Sequence, residues 1–444
     1  MKMTKRWSIM ALLSALAVAL AACGGAGGSG GGSGGASGSS SGGGGSSGGG
    51  ETIEIVFQSH VTPNLTDEFY DGLIAKFEAQ HPNIKIKRIQ ASAMEGSNDN
   101  YLKTLLAAGD FPDIASNFSF KDFADADALW EIPIDDDIKK IKNYEAHLID
   151  GKLYVIQPFL QPHSLIFYNK KMFADAGIAS TPKTWQELVD TAEKLKQKGY
   201  TPLLTSGEWV TGFTFGLMLS PEIFGKNPNW YADRYEGKVK FTDPNWIEAA
   251  TRFHELAKNG YFNEGALSIG YTQLEQEFLQ GNGAMYPMGV WFTAAEAAAT
   301  KDFEVGVFPA PGLDGELYLA GAFGMNFSIS KKSKHPEAAL EFIKFMVMDP
   351  ENHKVFAQAD GLFSGLVEPS NYEFTPLQQE VAELIEKAPR MTGYGDQPAG
   401  AFPAPGIANQ YTTVAQNLLL NDSRINIEEQ MSSLDDYWDK NARP

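Results

Sequence analysis

Past residue 23 the chain contains no cysteine. That removes a disulfide framework, a thiolate zinc site and a cysteine nucleophile from everything that follows. Positive charge is also short: 36 Lys and Arg stand against 55 Asp and Glu, a net charge of −19. Such a surface is soluble and disfavours nucleic acid or anionic lipid as a partner. After Leu20 no apolar run reaches the length of a membrane span. No P-loop and no dinucleotide fingerprint occurs. His254-Glu255 opens a zinc-protease-like pattern, but Lys258 stands where the second histidine is required. These absences argue against an enzyme and against a bound cofactor. A glycosidase needs only two carboxylates, which an acidic chain supplies, so a cell-surface carbohydrate hydrolase stays open as an alternative.

What is there begins with an address. Lys2, Lys5 and Arg6 head an apolar run from Trp7 to Leu20, and small residues Ala21 and Ala22 precede the single cysteine, Cys23. Residues 1–22 read as a secretory signal. A plain signal needs no cysteine at its cut. Leu20-Ala21-Ala22-Cys23 looks like a bacterial lipobox, in which the thiol is acylated and two lipid chains hold the protein at a bilayer. Residues 24–50 are Gly, Ser and Ala only, a flexible tether with a root-mean-square span of roughly 30 Å. Residues 23–50 are thus expected to be lipid and leash, with the protein on the extracellular face of the cytoplasmic membrane. Removing the three positive charges of Lys2, Lys5 and Arg6 takes the net charge from −19 to −22. Some 394 of the 444 residues follow the tether, too many for one hydrophobic core, which predicts two domains.

The folded part opens with alternating Ile53, Ile55 and Phe57, a strand that ends in polar Gln58-Ser59-His60. Thr66 caps a helix carrying Phe69, Leu73 and Phe77 on one face. Ile84, Ile86 and Ile89 make a second strand. Residues 101–108 form a helix closed by Gly109, and residues 111–115 a third short strand leading to Asn117 and Phe118. Strand and helix alternating at this spacing predict a parallel sheet, α/β class. Ligands of such sheets sit beyond the carboxyl ends of the strands, which points to His60, Asn117 and Phe118. Further strands are expected at residues 151–158, 165–168, 200–205, 283–291, 303–308 and 324–330. Thr184 and Glu187 form a capping box, Pro244 and Pro336 open long helices, and helical pieces fill the end of the chain around a Pro/Gly-rich stretch at 393–406. Asp135-Asp136-Asp137 reads as a solvated helix start rather than a metal patch.

Six motifs then fall in one order: Gly109-Asp110-Phe111-Pro112-Asp113-Ile114, Tyr168-Asn169-Lys170, Pro182-Lys183-Thr184-Trp185-Gln186-Glu187-Leu188, Gly281-Asn282-Gly283-Ala284-Met285, Gly289-Val290-Trp291, and Lys331-Lys332-Ser333-Lys334-His335-Pro336-Glu337-Ala338-Ala339-Leu340. Together they resemble the extracellular solute-binding proteins of sugar ABC importers, the maltose-binding-like group, from about Ile53 to about Pro369. The resemblance implies a two-lobe periplasmic-binding-protein-like fold of type II, with a ligand cleft between the lobes. It implies three crossings, near residues 158–162, near 322–324 and near Ser364. Lobe 1 would hold 51–160 and 325–364, lobe 2 would hold 161–324 and 365–444. The partners would be a carbohydrate ligand and the permease subunits of an ABC transporter, with the protein a monomer. A non-sugar solute remains the other alternative.

By that resemblance Trp291 falls where a tryptophan stacks on sugar, and Asn117 and Phe118 fall on a sugar-facing loop. Asn117 stands where the maltose-binding pattern has a tryptophan, which argues against a malto-oligosaccharide. From the chain itself, Trp291 follows Gly289, which leaves room for a ring, although core packing would also account for it. Glu208-Trp209 sets an acid beside an aromatic where a strand is expected to end, and a carboxylate accepts hydrogen bonds from two hydroxyls. His60 and His163, each after an apolar segment at an expected cleft edge, and Phe323 and Tyr394 complete the candidates.

Overall fold

Buried Ile55 and Phe57 alternate with exposed Glu54 and half-buried Val56 along the first strand, and that alternation seeds the first layer of the protein. The structure is a computed structural model describing residues 52–90, 98–368, 372–388, 390–391, 401–420, 422 and 424–442, with no description of the side chains of 321–323, 390 and 391. The signal, Cys23, the tether and Tyr394 lie outside the described residues. Eleven strands are formed among the described residues: β1 Ile53–Gln58, β2 Ile84–Ile89, β3 Ile114–Ser116, β4 Phe159–Pro162, β5 Leu165–Asn169, β6 Met285–Met288, β7 Val305–Pro309, β8 Leu319–Gly324, β9 Phe327–Ile329, β10 Phe363–Ser364 and β11 Arg390–Met391.

They make three sheets. The first has the order β2-β1-β3-β9, with β1 parallel to both β2 and β3, and β9 antiparallel on the edge. The parallel trio follows from the strand–helix alternation in sequence. Phe57 nails helices to this sheet: its ring meets Tyr70 of the Asp67–Gln80 helix edge-on at 5.7 Å and Phe342 of the Pro336–Val347 helix at 5.6 Å. Thr66 caps the former helix by accepting from the Phe69 amide, as its sequence predicts. The second sheet, β10-β4-β8-β11, gathers the three stretches named above as crossings, near 158–162, 322–324 and 364, side by side. The third, β6-β5-β7, is antiparallel throughout.

Two expected strands do not form. Residues 151–158 are mostly buried, but only Lys152 and Ile156 make bridges, to Ile149 and Phe327. Gly151, at φ +78°, turns the chain into this stretch and Pro158 has no amide to donate at its end. Residues 200–205 bridge only through Leu203, to Phe262 and Met285. The Thr184 capping box is present with both of its hydrogen bonds.

The end of the chain is built into the side that carries the third sheet. The Ile407–Leu419 helix lies against the Val210–Ile223 helix at a point where Gly212 has no side chain. A Cβ on Gly212 would sit 2.8 Å from Thr412 Cα, so the two backbones touch only because a hydrogen stands there. The Ile427–Asn441 helix closes the cluster. Its Trp438 stacks on Tyr231 at 5.8 Å, and Asp435 accepts from the amides of Phe241 and Thr242, the Thr242 hydroxyl and buried Arg234.

Candidate functional site

Beyond the carboxyl ends of β1, β3 and β6 the chain leaves a cleft of about 640 Å³, within the range of small-molecule sites. One wall is the loop from His60 to Asn64 after β1, Asn117 after β3, Met325 between β8 and β9, and Asp360 at the end of the Pro350–Ala359 helix. The facing wall is Gln161 and His163 at the end of β4, Glu208, Trp209 and Phe213 at the start of the Val210–Ile223 helix, the start of the Tyr271–Leu279 helix, and Trp291.

The second wall is aromatic. The Trp291 ring lies 5.4 Å from Phe213, 5.5 Å from His163 and 6.2 Å from Trp209, and Trp209 lies 5.2 Å from Tyr271. These tilted and edge-on pairs are the favoured geometries of aromatic rings, so the rings hold one another in place. Trp291 caps the Phe292–Ala298 helix, so it stands at a helix start and not on a free loop. It is half-buried, neither core nor fully exposed, while Trp209 is 42 % exposed. A Cβ on Gly289 would fall inside the indole of Trp291, 2.5 Å from Cε3 and closer still to Cζ3 and Cη2. Gly289 is therefore the floor on which the ring lies.

The first wall is polar and its backbone is unusual. Asn117 (φ +53°) and Met325 (φ +47°) line it in the left-handed region, as Glu208 (φ +55°) does on the facing wall. Each such residue costs about 1–3 kcal/mol and persists where the surroundings impose it. At Asn117 the imposing groups are visible. Asn98 Nδ2 donates to the carbonyls of Ser116 and Asn117, both at 2.8 Å, and the Asn117 amide donates to Asn326 O at 2.9 Å.

That left-handed turn disposes of one candidate. Phe118 does not reach the cleft; it is 6 % exposed and packs edge-on against Phe123 at 5.0 Å. Glu208 lines the cleft, but it starts a helix rather than ending a strand, and its Oε2 accepts the Tyr271 amide at 3.2 Å, capping the Tyr271–Leu279 helix. The side chain of Phe323 and all of Tyr394 lie outside the described residues. His60, Asn117, His163, Glu208, Trp209 and Trp291 are brought together, as the sequence suggests they would be if a cleft exists.

Sequence reasoning missed Asn64, Gln161, Phe213, Tyr271, Met325 and Asp360. Asn64 spans the two walls: its Nδ2 donates to Trp291 O and to Asp360 Oδ1, both at 3.0 Å. Phe213 is hidden in an apolar helix. Tyr271 donates to Glu275 Oε2 at 3.0 Å, and Glu275 is itself buried.

The charged side chains that line the cleft are carboxylic, Glu208 and Asp360. No Lys or Arg lines the cleft among the described residues. Loss of solvent holds His60 and His163 down at about 4, so both are neutral near pH 7. Burial pushes the Asp360 carboxyl up to about 7; the Asn64 amide opposes that shift and the Glu275 carboxylate adds to it. Burial likewise raises Glu275, against the Tyr271 hydrogen bond. Among the described residues no group of three or more His, Cys, Asp or Glu is placed to hold a metal ion. No helix there is long and apolar enough to cross a membrane.

Residues 62–351 match the family described as bacterial extracellular solute-binding protein. A multiple sugar-binding protein of Streptococcus mutans is 27 % identical over 325 residues, 69 % of this chain and 74 % of that one. An uncharacterized ABC transporter extracellular-binding protein of Pyrococcus horikoshii is 26 % identical over 349 residues, 73 % of this chain and 76 % of its own. Among solved structures, a chitin oligosaccharide binding protein superposes with a TM-score of 0.77 at 24 % identity, over 88 % of this chain and 99 % of that one. The binding protein RafE in complex with raffinose superposes with a TM-score of 0.71 at 22 % identity, over 86 % and 98 %.

Proposed function

The chain belongs to the family of bacterial extracellular solute-binding proteins and has their two-lobed α/β fold, and from that premise we propose that it is a lipid-anchored receptor capturing a sugar or oligosaccharide for an ABC permease. One observation carries the sugar: a wall of indole and phenyl rings faces a wall of hydrogen-bonding groups that includes the Asp360 carboxyl, and no cation lines the cleft among the described residues. A pyranose has the same two characters, an apolar C–H face and a rim of hydroxyls. The neutral imidazoles of His60 and His163 each offer a donor and an acceptor to that rim, as do the amides of Asn117 and Gln161. The naming of the Streptococcus relative as a multiple sugar-binding protein points the same way.

In this reading Cys23 carries the lipid, residues 24–50 are the leash, and the protein works as a monomer on the extracellular face without a cofactor. Lobe 1 is 51–160 with 325–364 and lobe 2 is 161–324 with 365–444. The strands β4, β8 and β10 are the hinge, and ligand contacts to both walls close it. A raised carboxyl in a sugar cleft is also what a glycosidase acid requires, which keeps hydrolysis as the second reading. Calorimetric titration with raffinose, maltotriose, xylotriose and N,N′-diacetylchitobiose, followed by chromatography of the recovered sugar, tests both. Saturable heat with intact sugar is the expected outcome. Cleaved sugar moves the protein to the hydrolases, and the absence of heat with any of these sugars ends the sugar reading.

A further inference from the structure

Asp360 lines the cleft yet is only 4 % exposed. The one side chain that donates to its carboxylate among the described residues is Asn64, at 3.0 Å to Oδ1. A carboxylate has room for about four hydrogen bonds, and a buried one left short of them costs free energy. Asn64 cannot make up the deficit, because its other amide proton is committed to Trp291 O at 3.0 Å. The groups whose charges reach Asp360 from the neighbouring elements are Glu275 and Tyr271 on the Tyr271–Leu279 helix and Tyr70 on the Asp67–Gln80 helix; His60 stands in the same wall of the cleft. None of them is a cation, and among the described residues none of them donates a hydrogen bond to the carboxylate. The carboxylate lines the cleft, so its remaining acceptor positions are open to donors of a ligand there.

We infer that Asp360 reads the charge of the ligand: as a carboxylate it accepts hydrogen bonds from the hydroxyls of a neutral saccharide, and it bars saccharides that carry a carboxylate or phosphate. This rests on the saccharide reading above. An anionic sugar would bring a further negative charge beside Asp360, Glu275 and the cleft-lining Glu208, with no cation lining the cleft among the described residues, which is repulsion built into the site. The protonation equilibrium gives the inference a signature. Asp360 titrates at about 7, so it is ionised at pH 8 and mostly protonated at pH 6. A ligand that needs the ionised form loses affinity as the pH falls through that value, roughly tenfold between pH 8 and pH 6 for one group. An anionic ligand moves in the opposite direction, since protonation removes the repulsion.

The test is calorimetric titration of the wild-type protein and Asp360→Asn between pH 6 and pH 8. The probes are whichever of the four neutral sugars binds and the same sugar with its primary hydroxyls oxidised to carboxylates. The expected result is a Kd for the neutral sugar that rises about tenfold from pH 8 to pH 6 in the wild type and stays flat in the variant. The oxidised sugar should bind at least tenfold more weakly than the neutral one at pH 8, with the gap narrowing in the variant. A flat wild-type profile, or an oxidised sugar that binds as tightly as the neutral one, overturns the role of Asp360 and leaves the sugar reading standing. If no neutral sugar binds, the sugar reading falls and this inference falls with it. Should Asp360→Asn fail to fold, the two wild-type series decide alone.

Discussion

Adding one methyl group at Gly289 should damage the cleft without removing any group that touches ligand. In Gly289→Ala the new Cβ would lie 2.5 Å from Trp291 Cε3 and nearer still to two other atoms of the ring. Carbon atoms pack at about 3.5–4.0 Å, so the ring or the backbone must move by about 1 Å or more. The ring is boxed in by Phe213 at 5.4 Å and His163 at 5.5 Å. If the box holds, the strain costs about 1–3 kcal/mol of stability. If the ring swings into the cleft instead, stability is spared and ligand affinity falls, because the stacking surface is lost. Stacking and contact area together are worth about 1.4 kcal/mol or more, tenfold in Kd. An apo melting curve, a calorimetric titration and the tryptophan emission maximum cover both outcomes. A variant with unchanged melting temperature, affinity and emission would show that the Trp291 ring does not lie on Gly289.

Asp435→Ala removes the acceptor for four donors and leaves Arg234 to Asp439 alone. Breaking a buried pair from one side costs about 3–5 kcal/mol, so a large drop in melting temperature with unaltered sugar affinity is expected. The pH dependence of apo stability has two opposing parts. Asp360 is raised on folding, so it favours the folded state at low pH and that advantage is lost as the pH rises through about 7. His60, His147 and His163 are lowered to about 4, so they cost stability as the pH falls from 6.5 toward 4. Comparing wild type with Asp360→Asn cancels the histidines: the variant should melt higher at pH 8, with the difference shrinking toward pH 5, and a constant difference would refute the assignment. Cys23→Ser should release the protein from membranes into the soluble fraction; a variant that still sediments with membranes after a salt wash contradicts the anchor.

Local signals carried the fold well where they were strong. The alternation of Ile53, Ile55 and Phe57, the Thr66 cap and the Thr184–Glu187 box were all legible because each depends on residues within one turn or one strand. Residues 151–158 misled because their apolar side chains are buried without a strand ladder to pair with, only Lys152 and Ile156 making isolated bridges. The candidate site was half legible for a similar reason. His60, Asn117 and Trp291 follow strand ends, so the rule about carboxyl ends finds them. Phe118 was misplaced because a left-handed residue at Asn117 turns the next side chain into the core, and a single asparagine does not announce that turn. Asp360 escaped because it sits at a helix end some 300 residues from Asn64, its hydrogen-bond partner; only the folded chain shows that it is buried against the cleft.

The central claim is that a sugar sits against the rings of Trp209 and Trp291. Among the described residues these are the two tryptophans that line the cleft, while Trp230, Trp246 and Trp438 are buried elsewhere. Titrating the protein with the neutral sugars while following tryptophan emission tests this directly. The expected result is a saturable change in the wild type whose amplitude collapses in the Trp209→Phe, Trp291→Phe double variant. No saturable change with any sugar, or an amplitude that survives in the double variant, would contradict it.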